Sequence, residues 1–170
     1  GDMDALSALY EDDKIAWYEN DGSQNFTVHT ISNVADGAET VITADVDGDG
    51  DIDVLSTSAL DDKNAWYEND GSQNFTEHLV SVSAANAASV FAVDVDGDGD
   101  IDVLSASRSD DKIAWYENDG SQGFTAHVIG TGDWAISVSA SDVDGDGDQD
   151  VLAVFAAEDK IVWFKNDGSQ

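Results

Sequence analysis

The sequence predicts an all-β fold built from about 3.5 copies of a unit of roughly 49 residues, and three observations indicate it. Tryptophans recur at Trp17, Trp66, Trp115 and Trp163, with spacings of 49, 49 and 48 residues. Short runs of β-branched and aromatic residues alternate with Gly, Asn and Asp, which is typical of strands and turns. No stretch keeps an apolar period of 3.6 residues for long, so almost no helix is expected.

Four strands are predicted in each complete copy, and the copy that contains Trp115 illustrates their order. The first strand is Ser89–Val93, which precedes an aspartate-rich loop, and the second is Val103–Ser107, which follows it. The third is Lys112–Glu117 and the fourth is Phe124–Ile129. The Asn-Asp-Gly-Ser sequence between them suits a hairpin turn, because Asp and Gly tolerate positive φ. The chain is therefore expected to contain fourteen strands, distributed three, four, four and three.

Adjacent aromatic residues indicate how these sheets are covered. Trp115 and Tyr116 point to opposite faces of a strand, so both faces need packing. Successive blades of a β-propeller provide that cover, and about four strands per repeat match one blade. We therefore predict a single repeat domain forming a β-propeller of four-stranded blades, with a parallel β-helix as the alternative. The predicted units are partial blade 1–44, blade 45–93, blade 94–141 and partial blade 142–170.

The sequence Asp-Val-Asp-Gly-Asp-Gly-Asp-x-Asp-Val-Leu occurs three times and predicts a metal site in each copy. Carboxylates this dense repel one another unless a hard cation lies among them. Calcium accepts about six to eight oxygen ligands in flexible geometry, whereas magnesium demands an octahedron. Side chains of loop positions 1, 3, 5 and 9 and the backbone carbonyl of position 7 are the expected ligands. The residues assigned to about three Ca²⁺ sites are Asp45, Asp47, Asp49, Asp51, Asp53, Asp94, Asp96, Asp98, Asp100, Asp102, Asp142, Asp144, Asp146, Asp148 and Asp150.

These loops differ from EF-hands. An EF-hand has a bidentate glutamate at its twelfth position, where this chain has Ser56, Ser105 or Ala153. The segment that follows each loop is also strand-like and not helical. The alternative to a metal site is a solvated acidic turn. Asp4 corresponds to the ninth position of an incomplete fourth loop, and no metal is predicted there.

The loop motif, a following strand and then Trp-Tyr-Glu-Asn resemble the VCBS and FG-GAP repeat families, whose best-known relative is the integrin α-subunit propeller. The resemblance covers essentially the whole chain. It implies β-propeller blades with calcium in the loop that joins the first and second strands of a blade. The chain has no proline, so the Gly-Ala-Pro element of FG-GAP is absent. This favours the VCBS-type branch, and integrin ligand recognition is not carried over.

Charge and composition exclude several classes of function. The chain has 37 acidic and six basic residues, for a formal net charge of −31. Such a surface repels nucleic acid and anionic lipid, so neither is expected as a partner. No apolar run approaches the roughly 20 residues that cross a bilayer, so membrane insertion is not expected. The absence of cysteine excludes disulfides, cysteine–zinc sites and thiol nucleophiles.

Several other residues recur once per copy, and a structural role is favoured for each. The tryptophans are interpreted as blade core in preference to a carbohydrate-stacking platform. The histidines are interpreted as hydrogen-bonded structural groups and not as catalytic or zinc-binding ones, and the lysines as local charge neutralisation. These residues are His29, His78 and His127, and Lys14, Lys63, Lys112 and Lys160. The sequons at Asn25 and Asn74 recur with the repeat and carry little evidence of glycosylation.

Residues that break the repeat are few, and they decide the functional prediction. They are Tyr10, Arg108, Trp134, Phe155 and Lys165. None forms an acid–base pair or a nucleophile–base pair, so we expect no enzymatic activity. The predicted function is a calcium-binding, non-catalytic module for binding, adhesion or scaffolding, with structural calcium and an unidentified protein or carbohydrate ligand. An extracellular location is expected, because such sites load where calcium is near millimolar.

Two alternatives stay open. The chain could be an accessory propeller segment of a larger secreted enzyme, with catalysis on residues that it does not contain. It could also be a self-assembling unit that completes a ring or filament as a homo-oligomer, because open blade edges are templates for pairing with another chain.

Overall fold

The computed structural model describes residues 2–168, which form fourteen strands in four antiparallel sheets of three, four, four and three strands. The all-β prediction is confirmed. The helical structure of the described residues is confined to two short 3-10 turns, at Tyr10–Asp12 and Ala156–Glu158. Sheet 1 contains β1 (Ala5–Leu9), β2 (Lys14–Asn20) and β3 (Phe26–Ser32); sheet 2 contains β4 (Ala38–Ala44), β5 (Asp53–Ser58), β6 (Lys63–Asn69) and β7 (Phe75–Ser81). Sheet 3 contains β8 (Ala87–Val93), β9 (Asp102–Ser107), β10 (Lys112–Asn118) and β11 (Phe124–Thr131); sheet 4 contains β12 (Ala135–Ser141), β13 (Asp150–Phe155) and β14 (Lys160–Phe164).

The strands of each sheet pair in chain order, which gives an antiparallel meander. In sheet 2, Leu55 of β5 lies opposite Trp66 of β6, which in turn lies opposite His78 of β7. A register shift near the start of β4 and another near the start of β6 interrupt this ladder, and sheet 3 repeats both irregularities. Near-identical sequences therefore fold into near-identical sheets.

The two central sheets are covered on both faces, as the adjacent aromatic residues predict. Trp66 is 0% exposed and shares a core cluster with Val103 and Tyr116 of sheet 3. Tyr67 faces the other way and shares a cluster with Ile15 of sheet 1. Burying one large apolar side chain contributes about 1.5–3 kcal/mol, so these alternating contacts are the main stabilising interactions between sheets. The interpretation of the buried tryptophans as core is confirmed here.

The sheets are offset by one strand from the predicted units 45–93 and 94–141. Hydrogen bonds group the strand before each aspartate-rich loop with the strand after it, so sheet 2 spans 38–81 and sheet 3 spans 87–131. The aspartate-rich loop thus lies inside a sheet and not between two sheets. Division of the sequence at 45, 94 and 142 remains a proposal about the repeat unit.

Sheets 1 and 4 have only three strands each among the described residues. Sheet 1 begins with β1, the counterpart of β5, and sheet 4 ends with β14, the counterpart of β6. No other part of residues 2–168 covers one face of sheet 4, and Trp163 on β14 is 45% exposed where Trp66 is buried. No helix in residues 2–168 has the length and apolar character that a membrane span requires.

Candidate metal centres

The three aspartate-rich loops occupy equivalent places, each joining the first and second strands of its sheet. In the first loop, Gly48 and Gly50 have φ of 72° and 96°. The corresponding glycines of the second and third loops also have positive φ. This conformation strains residues that have a Cβ, so the glycines are what allow so short a loop to curl.

Each loop brings three carboxylates together. One oxygen from each member lies within 4.8 Å of the others, which forms a triad able to hold a metal ion. The triads are Asp45, Asp47 and Asp53; Asp94, Asp96 and Asp102; and Asp142, Asp144 and Asp146. Nine of the fifteen residues assigned from sequence are therefore brought together. The other six, outside the triads, are Asp49, Asp51, Asp98, Asp100, Asp148 and Asp150, and their assignment as ligands remains a proposal.

The residues present fit a hard cation. The triads offer oxygen donors alone, which suit calcium. In the first loop, Asp45 Oδ1 is buried and has no hydrogen-bond partner, and a buried acceptor without a donor is costly. Three carboxylates at this separation also repel one another strongly. A bound Ca²⁺ would remove both penalties at once.

The aspartate at loop position 9 clamps the loop to the sheet. Asp53 is 0% exposed and accepts two backbone hydrogen bonds, from Val46 N at 2.9 Å and from Asn69 N at 2.8 Å. Asp102 and Asp150 accept the equivalent bonds in their own sheets. A carboxylate has about four acceptor positions, so these bonds leave capacity for a metal. Asp4 accepts the equivalent bond from Asn20 N at 2.8 Å, which gives it a structural role without a complete loop.

Burial perturbs several of these carboxylates. It raises the pKa of Asp53, although the N–H groups of Asn69 and Val46 offset part of the effect. It raises the pKa of Asp102 in the same way. At Asp150 burial acts in the same direction, but the N–H groups of Asn166 and Val143 outweigh it and the pKa is lowered. Holding ionised carboxylates at buried positions therefore costs free energy in the metal-free protein.

The aspartate at loop position 7 is directed to the hairpin turn of the same sheet. Asp51 lies against Gly71 in the turn between β6 and β7, so closely that a Cβ on Gly71 would collide with its carboxylate. Gly71 also has φ of 72°, and its N–H donates to Asn69 Oδ1 at 3.2 Å. The same approach recurs at Asp100 and Asp148. The position 7 side chain is thus directed away from the triad, as expected if that position offers its carbonyl.

The third loop differs from the others, because a lysine lies against it. Lys165 forms ion pairs with Asp144 and, at 3.0 Å, with Asp146 Oδ2. Hydrogen bonds to these two carboxylates raise the pKa of Lys165 above its ordinary value. The equivalent residues in the other copies are Glu19, Glu68 and Glu117. The sequence marks Lys165 as breaking the repeat, but its contact with an aspartate-rich loop becomes evident only in the structure.

The recurring histidines and lysines lie outside the aspartate-rich loops. His78 stacks on Trp66 with ring centroids 4.4 Å apart, and its Nε2 lies 2.7 Å from Glu68 Oε2. The two other histidines make the same pair of contacts. Lys63 Nζ lies 2.8 Å from Glu77 Oε1, and two other recurrent lysines are paired with nearby acids. The predicted hydrogen bonding of the histidines is confirmed, and so is the charge pairing of these three lysines.

A family model described as FG-GAP-like repeat matches residues 1–56, 45–105 and 94–153. Together these matches cover most of the chain, and each of the last two begins at the first aspartate of an aspartate-rich loop. The resemblance to this group of repeats is thereby confirmed, although the chain contains no proline. The preference for the VCBS-type branch stays a prediction. A search of curated protein sequences found no significant match.

The similar solved structures include a lectin and a biofilm matrix protein. An Agrocybe aegerita lectin, described as recognising non-reducing terminal N-acetylglucosamine, has a TM-score of 0.57 at 18% identity, over 89% of this chain and 46% of the lectin. The V. cholerae biofilm matrix protein Bap1 has a TM-score of 0.47 at 23% identity, over 96% of this chain and 30% of that protein. The chain spans under half the length of either protein. The lectin supports the arrangement of sheets.

Proposed function

The chain belongs to the FG-GAP-like repeat family, and from this premise we propose that it is a calcium-binding, non-catalytic module for extracellular binding, adhesion or scaffolding. In this proposal the four sheets are blades of a β-propeller, and calcium stabilises each blade. The ligand is an unidentified protein or carbohydrate. Carbohydrate recognition by the lectin of similar fold is compatible with such a ligand.

One observation carries the proposal: three successive loops each hold an acidic triad, formed by positions 1, 3 and 9 in the first two loops and by positions 1, 3 and 5 in the third. The first triad also contains an unpartnered buried oxygen at Asp45. Each site that is occupied at about 100 times its dissociation constant would add roughly 2.7 kcal/mol to the folded state. That is a large share of a typical stability of about 5–15 kcal/mol. Calcium near millimolar concentration would keep such sites loaded, which supports an extracellular location.

The same geometry supports a structural role for the ion. The position 9 aspartate of each triad in sheets 2 and 3 is buried and clamps its loop, so an ion there would fix the loop against the sheet. The residues that break the repeat lie outside the aspartate-rich loops, and in the sequence none of them forms a nucleophile–base pair. Binding or scaffolding is therefore proposed in preference to catalysis.

The experiment is urea unfolding of the protein in millimolar calcium and in EDTA. We expect a higher midpoint in calcium, and for the variant Asp45→Asn/Asp47→Asn, which removes charge from one triad, a difference that is smaller by the contribution of one of the three sites. The exposed acid Asp12, outside the loops, provides the matched control Asp12→Asn, which should respond to calcium as the parent does. Equal midpoints in calcium and EDTA for the parent protein would contradict the proposal.

A second candidate is self-association, favoured by the uncovered face of sheet 4. Trp163 and Ile161 are 45% and 79% exposed on β14, whereas the equivalent Trp66 packs against the next sheet. A further blade of the same kind, from a second copy of this chain, would cover this face and pair with the edge strands. Light scattering in millimolar calcium tests it: a discrete dimer or a polymer supports self-association, and a mass near 18 kDa opposes it.

A further inference from the structure

A cavity of about 550 Å³ lies at the end of the sheets opposite the metal loops. Strand β4 starts beside the cavity at Ala38 and ends at Ala44, where the first metal loop begins. The starts of β4, β8 and β12 converge around it, with side chains from Glu39, Asn86 and Trp134 in its lining. The cavity is therefore remote from the candidate calcium sites.

The cavity is lined by residues that differ between copies. Tyr10 and Arg108 belong to a set of four equivalent positions whose other two members, Ala59 and Ala156, also line it. Trp134 is equivalent to Asn86 and to Gly37. Three of the five repeat-breaking residues thus lie around one cavity. The other copies have alanine, asparagine or glycine at the equivalent positions and form the same sheets, so packing of the sheets does not require these substitutions.

A partly buried ion pair in the cavity wall joins sheets 2 and 3. Arg108 Nη1 donates to Glu39 Oε2 at 2.5 Å and to Asn86 Oδ1 at 3.1 Å. About three quarters of the Arg108 and Glu39 side-chain surfaces are buried. The charge-assisted hydrogen bond fixes both side chains. Donor and acceptor groups are thereby held at defined positions in the wall, with no net charge between the pair.

Trp134 lies at a position where the fold imposes a left-handed backbone conformation, which a bulky residue does not favour. Its φ is 61°, a left-handed value that is an outlier for a bulky residue. The equivalent positions have Asn86 and Gly37, which adopt such φ values more easily. A hydrogen bond from Trp134 N to Asp111 Oδ1 at 2.9 Å holds the turn. The strain places a ring that is 56% exposed beside the cavity, and strain of this kind marks functional positions.

We propose that this cavity binds a neutral saccharide. This inference rests on the binding role proposed above and locates that role in the cavity. Tyr10, 41% exposed, and Trp134 offer aromatic faces on which the C–H face of a sugar ring can pack. Arg108, Glu39 and Asn86 offer donors and acceptors for its hydroxyl groups. The volume lies within the range of about 300–1,000 Å³ that is typical of ligand pockets. The acidic protein disfavours anions, and the paired Glu39 leaves no free charge for a cation.

The experiment is titration of the calcium-loaded protein with chitobiose, cellobiose, maltose and lactose, followed by tryptophan fluorescence and calorimetry. Tetramethylammonium and glucose 6-phosphate serve as cationic and anionic probes. The variants are Trp134→Asn and Arg108→Ala, which introduce the residues that neighbouring copies carry and so should fold. Trp163→Ala is the matched control, because Trp163 is an exposed tryptophan outside the cavity.

We expect at least one neutral disaccharide to bind, both cavity variants to weaken it at least tenfold, and Trp163→Ala to leave it unchanged. Failure of all four disaccharides to bind, binding unchanged in the cavity variants, or binding of a charged probe alone would overturn the inference. Stabilisation by calcium is measured on the same samples. Intact calcium stabilisation without saccharide binding rejects the cavity site alone, whereas absent calcium stabilisation rejects the proposed function.

Discussion

The side-chain amide of Asn118, at the end of β10, donates a hydrogen bond to the backbone oxygen of Val46 at 3.1 Å, across the boundary between sheets 2 and 3. Val46 N donates to Asp53, and Asn118 N donates to Asp102. The position 9 aspartates of two successive metal loops are therefore linked by one chain of hydrogen bonds. Asn166 and Val95 repeat the link between sheets 3 and 4 at 2.9 Å.

Replacing Asn118 should therefore weaken the contact between sheets. We expect Asn118→Ala to lower the free energy of unfolding by about 1–3 kcal/mol, because it leaves buried carbonyls without a donor. Asn69→Ala is the matched control, since Asn69 Nδ2 donates within its own sheet, to Ile52 O, among residues 2–168. Urea unfolding in calcium measures both. Equal losses for the two variants would show that the inter-sheet bond contributes little.

The aspartates of one loop should divide into two classes when calcium is absent. Asp102→Ala removes a buried acceptor of two backbone N–H groups and should destabilise the calcium-free protein by about 2–5 kcal/mol. Asp98→Ala, at an exposed position of the same loop, should leave that stability within about 0.5 kcal/mol. Urea unfolding of calcium-stripped protein separates them. A large loss at Asp98 would contradict the assignment of the clamp to position 9.

The third loop should bind calcium more weakly than the others, because Lys165 already pairs with Asp144 and Asp146. Lys165→Glu introduces the residue of the other copies and should tighten that site about tenfold, equivalent to about 1.4 kcal/mol. Calcium titration by calorimetry would show it as the loss of the weakest binding step. Lys160→Gln removes a lysine paired with Glu158, away from the loop, and should change nothing. An unchanged weakest step in Lys165→Glu would refute the competition.

Asp53 and Asp102 should each lower the stability of the calcium-free protein as pH rises. Burial raises the pKa of Asp53 and Asp102 above the ordinary value of 3.8. The folded state therefore binds protons more tightly than the unfolded state, and stability is lost as pH rises through and beyond that value. Urea midpoints of calcium-stripped protein at about pH 4.5 and about pH 7 test this. The variant Asp53→Asn/Asp102→Asn should retain more of its stability at the higher pH than the parent does, and an equal or greater loss in the variant would contradict the assignment to these two residues.

Strands and loops were predictable from the sequence because they depend on local patterns that recur. The strand from Lys112 to Asn118 follows from its aromatic and β-branched residues, and the conformation of Gly48 follows from its place between aspartates. The opposite burial of Trp66 and Tyr67 follows from the alternation of side chains along a strand. Each of these features is determined within a few residues of chain.

Contacts between copies could not be predicted, because they depend on how one sheet is set against the next. Arg108 and Glu39 are 69 residues apart, and Asn118 and Val46 are 72 apart. No local pattern pairs them. Asp53 was predicted only as a metal ligand, and its second role as the clamp between loop and sheet was missed. The backbone N–H groups that it accepts come from two segments that only the folded sheet brings together. The grouping of strands into sheets also depends on hydrogen bonds that the repeat period does not define.

The most direct measurement is the number of calcium ions bound per chain, by calorimetric titration of protein stripped of metal. We expect three ions per chain, one for each triad, with the third bound most weakly because of Lys165. The variant Asp45→Asn/Asp47→Asn should lower the count to two. No binding at millimolar calcium, or three ions still bound by that variant, would contradict the claim that the triads are calcium sites.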